Sequence, residues 1–225
     1  MTLVAFLDCN GIFTLNENGL SKCTVLKEVV SEEHSGKTAL HSHRFFDDEK
    51  RRKWQNPEAI LVEAGLKTGL KFVDLGCGDG FFALSAARLV GNDGRVYGLD
   101  VDGHAIDRLK EKASKEGLKN LTLKVGMAEE KVFCDSCADI VFFGIVLHDF
   151  SDPVKVLANA KRMLKPTGRL IDLDWKKEPM DLGPPLQIRF SEEKASNLIM
   201  TAGFKIDEIK KEGLYHYLIV ATPKS

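Results

Sequence analysis

The sequence predicts an α/β domain built on a seven-stranded, mostly parallel sheet with an antiparallel C-terminal strand and helices on both faces. Three observations predict it. From Lys71 onward, short β-branched or aliphatic runs alternate with amphipathic stretches, the pattern of repeated βα units. The first of these runs, Phe72-Val73-Asp74-Leu75, ends directly in the glycine-rich turn Gly76-Cys77-Gly78-Asp79-Gly80. The last two runs are joined only by a turn at Gly213, and so short a connection makes that pair antiparallel.

The elements follow in order. After the first strand, a helix runs from about Phe81 to Val90, with Ala83, Ala86, Ala87 and Val90 on one close-packing face. Asn92-Asp93-Gly94 is a turn into a second strand from Arg95 to Leu99, closing at Asp100. Asp102 caps the next helix, whose apolar positions Ala105, Ile106, Leu109 and Ala113 fall at helical spacing. Leu121 to Val125 is the third strand. Ala138 to Phe143 is the fourth, apolar after Asp139 as in a strand covered on both faces. Asp152 and Pro153 start a helix that reaches about Leu164 and is stopped by Pro166 and Gly168. Leu170 to Asp174 is the fifth strand, and Ser191 opens a helix ending at Gly203. Phe204 to Ile209 and Tyr215 to Ala221 complete the sheet. Residues 1–35 stand apart: Asn10-Gly11 and Asn18-Gly19 are hairpin-type turn signals, read as a small hairpin followed by a short helix around residues 21–30.

A chain of 225 residues, 44% hydrophobic, is long enough for one full core and too short for two large ones. Its formal charge of −1 gives no long-range pull toward nucleic acid or an anionic membrane. The apolar run at the start stops at Asp8 and lacks a basic lead, unlike a signal peptide, and no stretch reaches the ~20 apolar residues of a membrane span. The five cysteines (Cys9, Cys23, Cys77, Cys134, Cys137) are scattered and odd in number, which argues against a disulfide framework and for a cytoplasmic setting.

The glycine loop carries the chemistry. Between a strand and a helix, glycines let the backbone approach a ligand and turn its amides toward it. Counted from Gly78, the run Gly78-Asp79-Gly80-Phe81-Phe82-Ala83 also satisfies a dinucleotide spacing, so spacing alone leaves NAD open. Charge separates the two ligands. Asp74 precedes the loop and Asp79 lies within it, where a pyrophosphate would meet like charge at a cost of roughly 4 kcal/mol per pair at ~4 Å and an effective dielectric of ~20. A cationic, phosphate-free nucleoside would be welcomed instead. Asp79 has a second reading, as the helix N-cap. Asp100, ending the second strand, can accept hydrogen bonds from both hydroxyls of a ribose with either ligand.

Taken together, these residues resemble class I S-adenosylmethionine-dependent methyltransferases, which implies a Rossmann-like core. Residues 73–80 look like the family's glycine-rich motif, and Leu99-Asp100-Val101-Asp102 is similar to its acidic ribose-binding strand end. Val125-Gly126-Met127-Ala128-Glu129 falls where the family places adenine contacts. Residues 144–150 and 164–170 look like the segments after strand four and before strand five. The match covers residues 41–225 and is nearest to the ubiquinone/menaquinone-biosynthesis branch of small-molecule enzymes. What it implies is S-adenosyl-L-methionine held by Asp74, Gly76, Cys77, Gly78, Gly80, Phe81, Asp100, Val101, Met127, Ala128, Phe143 and Gly144, with no metal. One departure stands out: family members commonly carry an acidic residue where this chain has Met127, so adenine would be held by backbone and apolar packing. The resemblance also divides the chain into an extension, 1–35, and a methyltransferase domain, 36–225, whose segment 41–64 covers the cofactor as a lid. The same segment reads equally as a solvated helix with Phe46 and Trp54 packed on the core. Its basic run Lys50-Arg51-Arg52-Lys53 is flanked by Asp47, Asp48 and Glu49 and is not a nucleic-acid patch.

Methyl transfer needs alignment above all, and a base only where the acceptor is protonated. His148, following strand four, is the candidate base; the competing reading is a loop histidine bonded to backbone. Asp149 is open to the same two readings, while Asp174 and Trp175 border an acceptor pocket or pack in the core. The tetrapeptide of two prolines and an aromatic that resembles base-N-methylating enzymes is absent after strand four, which disfavours nucleobases. Cys134-x-x-Cys137 has metal or redox spacing but lacks a second pair to complete a zinc site. The expected function is methyl transfer to a small molecule. An NAD-dependent oxidoreductase and a non-catalytic binding module remain as alternatives, with protein or RNA methylation behind them.

Overall fold

The computed structural model describes residues 48–224. The readings for residues 1–35, and for the 41–47 portion of the lid segment, lie outside them. α1 (Asp48–Arg52) is a single turn and α2 (Pro57–Glu63) begins on Asn56, whose Oδ1 accepts from the Ala59 amide at 3.1 Å. Pro57 sits in the first turn, where its missing N–H leaves no gap. Then follow β1 (Lys71–Leu75), α3 (Phe81–Val90), β2 (Arg95–Asp100), α4 (Gly103–Lys115), β3 (Leu121–Val125) and β4 (Ala138–Gly144). A 3-10 turn (Leu147–Asp149) leads to α5 (Pro153–Met163), β5 (Leu164–Trp175), α6 (Glu192–Thr201), β6 (Phe204–Glu212) and β7 (His216–Pro223). The sequence signals for caps hold: Asp102, Asp152 and Ser191 each accept from an amide in the first turn of their helix.

The sheet has seven strands in the order β3-β2-β1-β4-β5-β7-β6. β1 to β5 pair in parallel, and β7 runs antiparallel to both neighbours. The antiparallel strand therefore lies between β5 and β6. The helical crossover through α6 makes β6 parallel to β5, and the turn at Gly213 returns the chain into the space left between them. β1 is flanked by β2 on one side and β4 on the other, so the chain reverses its direction of travel across the sheet there. Such a switch point opens a crevice at the carboxyl ends of the strands, the usual ligand site of open α/β sheets.

Apolar side chains of alternate strand positions form a layer on each face. On one, Phe72, Phe142, Ile171 and Leu218 pack against α2, α3 and α4; on the other, Val73, Val141, Leu170 and Tyr217 pack against α5 and α6. α3 is buried more completely than its alanine face predicts: Phe81, Phe82, Leu84 and Ser85 are also inside, with α2 packed along it, Leu109 of α4 beside its first turn and Arg51 over the Phe81 ring.

Two further differences are physical. β5 begins at Leu164 rather than Leu170, because Pro166 and Gly168 end the helix without ending the pairing. Leu164 opposes Ala138 and Arg169 opposes Ile140, so the intervening residues bulge out of the ladder. Secondly, Cys134 and Cys137 lie side by side, with Cα atoms 6.0 Å apart, because the turn through Ser136 in a left-handed conformation (φ 48°) brings the two together. No helix among the described residues is long and apolar enough to cross a membrane.

The cap at α5 gives a direct test. Asp152 Oδ1 accepts from the Lys155 amide at 3.0 Å, and Asp152→Ala is expected to cost about 1 kcal/mol, read from urea unfolding with an unchanged m-value.

Candidate active site

The loop after β1 is tied down at both ends. The amides of Gly76 and Cys77 both donate to the Leu99 carbonyl, at 2.8 and 3.1 Å, which fastens the turn to β2. Gly80 begins α3 with φ 100°, and a Cβ there would lie 2.3 Å from Leu109 Cδ1. At Gly76 (φ 79°) a Cβ would meet Val146 at 2.6 Å. Both positions need glycine for backbone reasons and for space. Gly78 differs: a Cβ there would meet nothing within 4 Å, so this residue turns its free side toward open space.

Asp100 organises that opening. Its Oδ2 accepts from the Gly78 amide at 2.7 Å and its Oδ1 from the Asp102 amide at 2.9 Å. One carboxylate thus joins the glycine loop to the start of α4. Each oxygen keeps a lone pair after these bonds, enough for two ligand hydroxyls. Past Asp100, the apolar residues Val101 and Met127 are 53% and 37% exposed at adjacent strand ends. The Gly126 amide donates to the Asp100 carbonyl and holds these two ends together. Ala128 is buried beside them, its carbonyl and that of Glu129 accepting from Asn159 Nδ2. Glu129 Oε1 accepts from the Ser151 and Asp152 amides, so it serves the loop before α5.

Asp74 is buried, and its Oδ2 has no hydrogen-bond partner. Burial first, and then the neighbouring Asp100, push its carboxyl up to about 8, against the opposing pull of Arg51. Asp74 is therefore a buried carboxyl with one unpartnered oxygen beside the glycine loop, its charged form disfavoured by desolvation. Asp79, by contrast, faces away from this role. Its carboxylate pairs with Lys112 Nζ at 2.8 Å, and Gly80 rather than Asp79 is the N-cap residue. The charge argument made from the sequence therefore rests on Asp74 and Asp100. Cys77 and Phe81 are buried under the loop. The Phe143 side chain is wholly buried in the α5/α6 layer, edge-on to Phe150 at 5.8 Å, so only its backbone reaches the crevice. Gly144 follows it where a Cβ would lie 2.7 Å from Phe142. The next residue, Ile145, is β-branched yet has φ 59°, a strained backbone at the mouth of the crevice.

Across β4 lies a second constellation. His148 has a side chain only 2% exposed, and its Nδ1 meets the Asp174 carboxylate at 2.8 to 2.9 Å. Nε2 lies 3.5 Å from Asp149 Oδ1. This arrangement replaces the backbone-bonded loop histidine with a carboxylate-oriented one. Burial alone would lower the imidazole pKa; the charge and hydrogen bond of Asp174, helped by Asp149 and opposed by Arg189, outweigh it and raise the value above 6.5. Below Asp174 on the same face of β5, Asp172 is fully buried with both oxygens unpartnered. Burial, then Asp174, push its pKa well above the usual carboxylate range. Tyr217, whose hydroxyl is also unpartnered, faces the same space and its pKa too is raised by burial and by both aspartates. Asp172 and Tyr217 were missed in the sequence, although Asp172 and Asp174 at two-residue spacing on an apolar strand are a readable sign. Trp175 is buried against His216, with ring centroids 4.4 Å apart, and Trp54 packs on both, 5.6 Å from His216 and 5.7 Å from Trp175.

A sheet of this order, a glycine loop clasped by the strand-two aspartate and a buried acid before the loop define a nucleoside-binding α/β domain, and the comparisons give its family. Residues 66–211 match the family described as "Methyltransferase domain", and the chain belongs to it. A demethylmenaquinone methyltransferase of Bacillus mycoides is 30% identical over 132 residues, 59% of this chain and 55% of that protein. The Staphylococcus aureus demethylmenaquinone methyltransferase is 29% identical over 56% of this chain and 51% of its own. The chain thus spans about half the length of the curated relatives it matches. Among solved structures, an S-adenosylmethionine-dependent methyltransferase from Aquifex aeolicus superposes with a TM-score of 0.73 at 33% identity, covering 78% of this chain and 98% of that one.

The His148–Asp174 pair has a measurable signature. Because the folded pKa is raised, the pair's contribution to stability is complete below about 6.5 and fades as pH rises through the folded value. Asp174→Asn is expected to move the His148 titration midpoint, followed by NMR of the imidazole, to lower pH. An unchanged midpoint would show that another group sets it.

Proposed function

We propose that this protein transfers the methyl group of S-adenosylmethionine to a small-molecule acceptor. The observation that carries this reading is the orphaned, buried carboxyl of Asp74 beside a glycine loop whose Gly78 amide is already taken by Asp100. A pyrophosphate would lose that amide and face two acids; a ligand bearing an ammonium and a ribose meets partners for both. Asp74 would receive the ammonium, Asp100 the ribose hydroxyls, and Val101, Met127 and Ala128 the apolar faces of adenine, with Gly76, Cys77, Gly78, Gly80, Phe81, Phe143 and Gly144 shaping the wall. When bound, S-adenosylmethionine supplies a methyl carbon already activated by its sulfonium.

The chain's own work is to align an acceptor and manage its proton. His148, at the carboxyl end of β4, is placed as the base, with Asp174 fixing the ring by its Nδ1 bond and stabilising the imidazolium formed when Nε2 takes a proton. When the acceptor is methylated, the proton it gives up would pass to His148 Nε2, and the Asp174 carboxylate on Nδ1 would hold the imidazolium so formed. Acceptors that must lose a proton, such as phenols, hydroquinones and acidic carbons, suit this geometry. The demethylmenaquinone methyltransferases among its relatives place hydroquinones first in the panel.

The direct experiment is S-adenosylhomocysteine release measured against hydroquinones, phenols, amines and thiols; binding of NADH without binding of S-adenosylmethionine would sink the reading. On the acceptor that responds, His148→Asn should lower kcat by about 10²- to 10⁴-fold, and kcat/KM of the unaltered protein should rise with pH as the raised His148 pKa is passed. Asp100→Ala should weaken cofactor binding by at least ~1.5 kcal/mol, measured by titration calorimetry.

A further inference from the structure

The segment that leaves the sheet after β5, residues 176–191, is long for a connection and is folded around one side chain. It makes a single hydrogen-bonded turn of its own, the Ile188 amide donating to the Pro185 carbonyl at 3.2 Å. A stretch of this length without helix or strand needs another source of order. Arg189, 4% exposed, supplies it. Its Nε donates to the Pro184 carbonyl at 2.7 Å, Nη1 to those of Lys176 and Glu178 at 3.3 and 3.1 Å, and Nη2 to that of Leu182 at 2.8 Å. Four of the five N–H groups of one planar fork thus go to the main chain of the segment that carries it. Every one of these acceptors is a carbonyl, so the buried charge is held by backbone dipoles.

The folded segment rests on the His148–Asp174 pair. Gly183, with φ 91°, presses on the Trp175 indole, where a Cβ would lie 2.8 Å from Cε3. The Arg189 guanidinium carbon stands 5.8 Å from the centre of the same ring. Trp175 follows Asp174 directly, and its amide donates to Asp174 Oδ1 at 2.7 Å. At the far end of the segment, Phe190 meets the His148 ring edge-on, with centroids 6.5 Å apart. Lys194 Nζ, from the first turn of α6, lies 3.6 Å from the Phe190 centroid. One segment therefore reaches both members of the pair, the carboxylate through Trp175 and the imidazole through Phe190. Lys176 pins its start, Nζ donating to the Gly213 and Leu214 carbonyls at 3.1 and 2.9 Å.

We infer that Arg189 is a positioning residue for methyl transfer: by folding residues 176–190 around its guanidinium it seats Trp175 behind Asp174 and Phe190 against His148, and so fixes the imidazole that faces the acceptor. The inference deepens the proposed function, since it takes His148 as the group that handles the acceptor's proton. No other side chain could take its place: an amide offers two N–H donors, and an ammonium offers three from a single point. The charged and titratable groups around the pair are Asp149 beside Nε2, Asp172 on β5, Tyr217 on β7, Arg189 itself and, beyond Phe190, Lys194. Of these, Arg189 opposes protonation of His148. Removing the guanidinium, or lifting the segment away, therefore moves the imidazole midpoint upward.

The test uses the full chain and two readouts that need no turnover: hydrogen–deuterium exchange of the amides of residues 177–190, and the His148 titration followed by NMR. Arg189→Met, which keeps an unbranched side chain without donors, should speed exchange across the segment by ~10-fold or more and move the His148 midpoint to higher pH. Arg189→Lys retains the charge and loses the fork; it should exchange at an intermediate rate and keep its midpoint nearer to that of the unaltered protein. Gly183→Ala leaves Arg189 in place and pushes the segment off Trp175. It should produce both changes seen in Arg189→Met, and it decides the matter if that variant does not fold. On the acceptor that responds, Arg189→Met should lower kcat about 10- to 100-fold while S-adenosylmethionine affinity stays within about twofold. A His148 midpoint unmoved in the folded variants overturns the inference, even with faster exchange or a lower urea midpoint, because Arg189 would then only hold the segment together. Unchanged exchange in Arg189→Met overturns it as well. Failure to methylate any acceptor would count against the proposed function, and the exchange and titration readouts would still decide on Arg189.

Discussion

The Asp100 carboxylate is the constraint on which the crevice depends. It ends β2, and its two oxygens reach in different directions, one to the Gly78 amide and one to the Asp102 amide. A loop of three glycines left to itself would sample many conformations, since glycine gives up the most entropy on ordering. Pinning Gly78 to one oxygen, with Gly76 and Cys77 fastened to the Leu99 carbonyl, selects one of them. The same carboxylate sets where α4 begins, and α4 supplies both Leu109, against which Gly80 is packed, and Lys112, which removes Asp79 from the opening. Loop shape, helix position and local charge are therefore consequences of one pair of charge-assisted hydrogen bonds.

Burial then differentiates acids that look alike in the sequence. Asp74, Asp100, Asp172 and Asp174 all stand on or at the end of central strands. Asp100 is satisfied by two amides. Asp174 is buried but faces an imidazole, so its negative charge has a counter-charge at 2.8 Å once His148 is protonated. Asp74 and Asp172 have no such partner, and desolvation raises both. The result is two buried acids whose charged form is disfavoured, one beside the glycine loop and one beside Tyr217, and a third that orients a histidine. Each side of the switch point thus has its own electrostatic character: an unpartnered buried carboxyl at β1, a histidine–carboxylate pair between the loop after β4 and the end of β5.

Much of the fold was legible because its signals are local. Asp102, Asp152 and Ser191 cap helices as their positions relative to the apolar periodicity require, and the α3 and β3 boundaries coincide with the sequence pattern. The glycine loop and Asp100 were legible for the same reason, since strand, turn and helix follow one another directly. β5 was read short because Pro166 and Gly168 mark the end of a helix and carry no sign that pairing with β4 has already begun across a bulge. The closeness of Cys134 and Cys137 escaped because counting cysteines along the whole chain says nothing about a three-residue turn.

The sequence by itself determined the order and type of the elements, the parallel core with one antiparallel strand, and the placement of a glycine loop before an acidic strand end. These follow from periodicity, capping and turn chemistry, all of which act over a few residues. Only the tertiary structure decided which charges face the crevice. Lys112 lies 33 residues from Asp79, His148 26 from Asp174, and Arg51 reaches Phe81 from another helix. Whether an aspartate is paired, neutral or waiting for a ligand depends on which distant side chain arrives beside it and how much water is excluded when it does. No local pattern encodes either quantity.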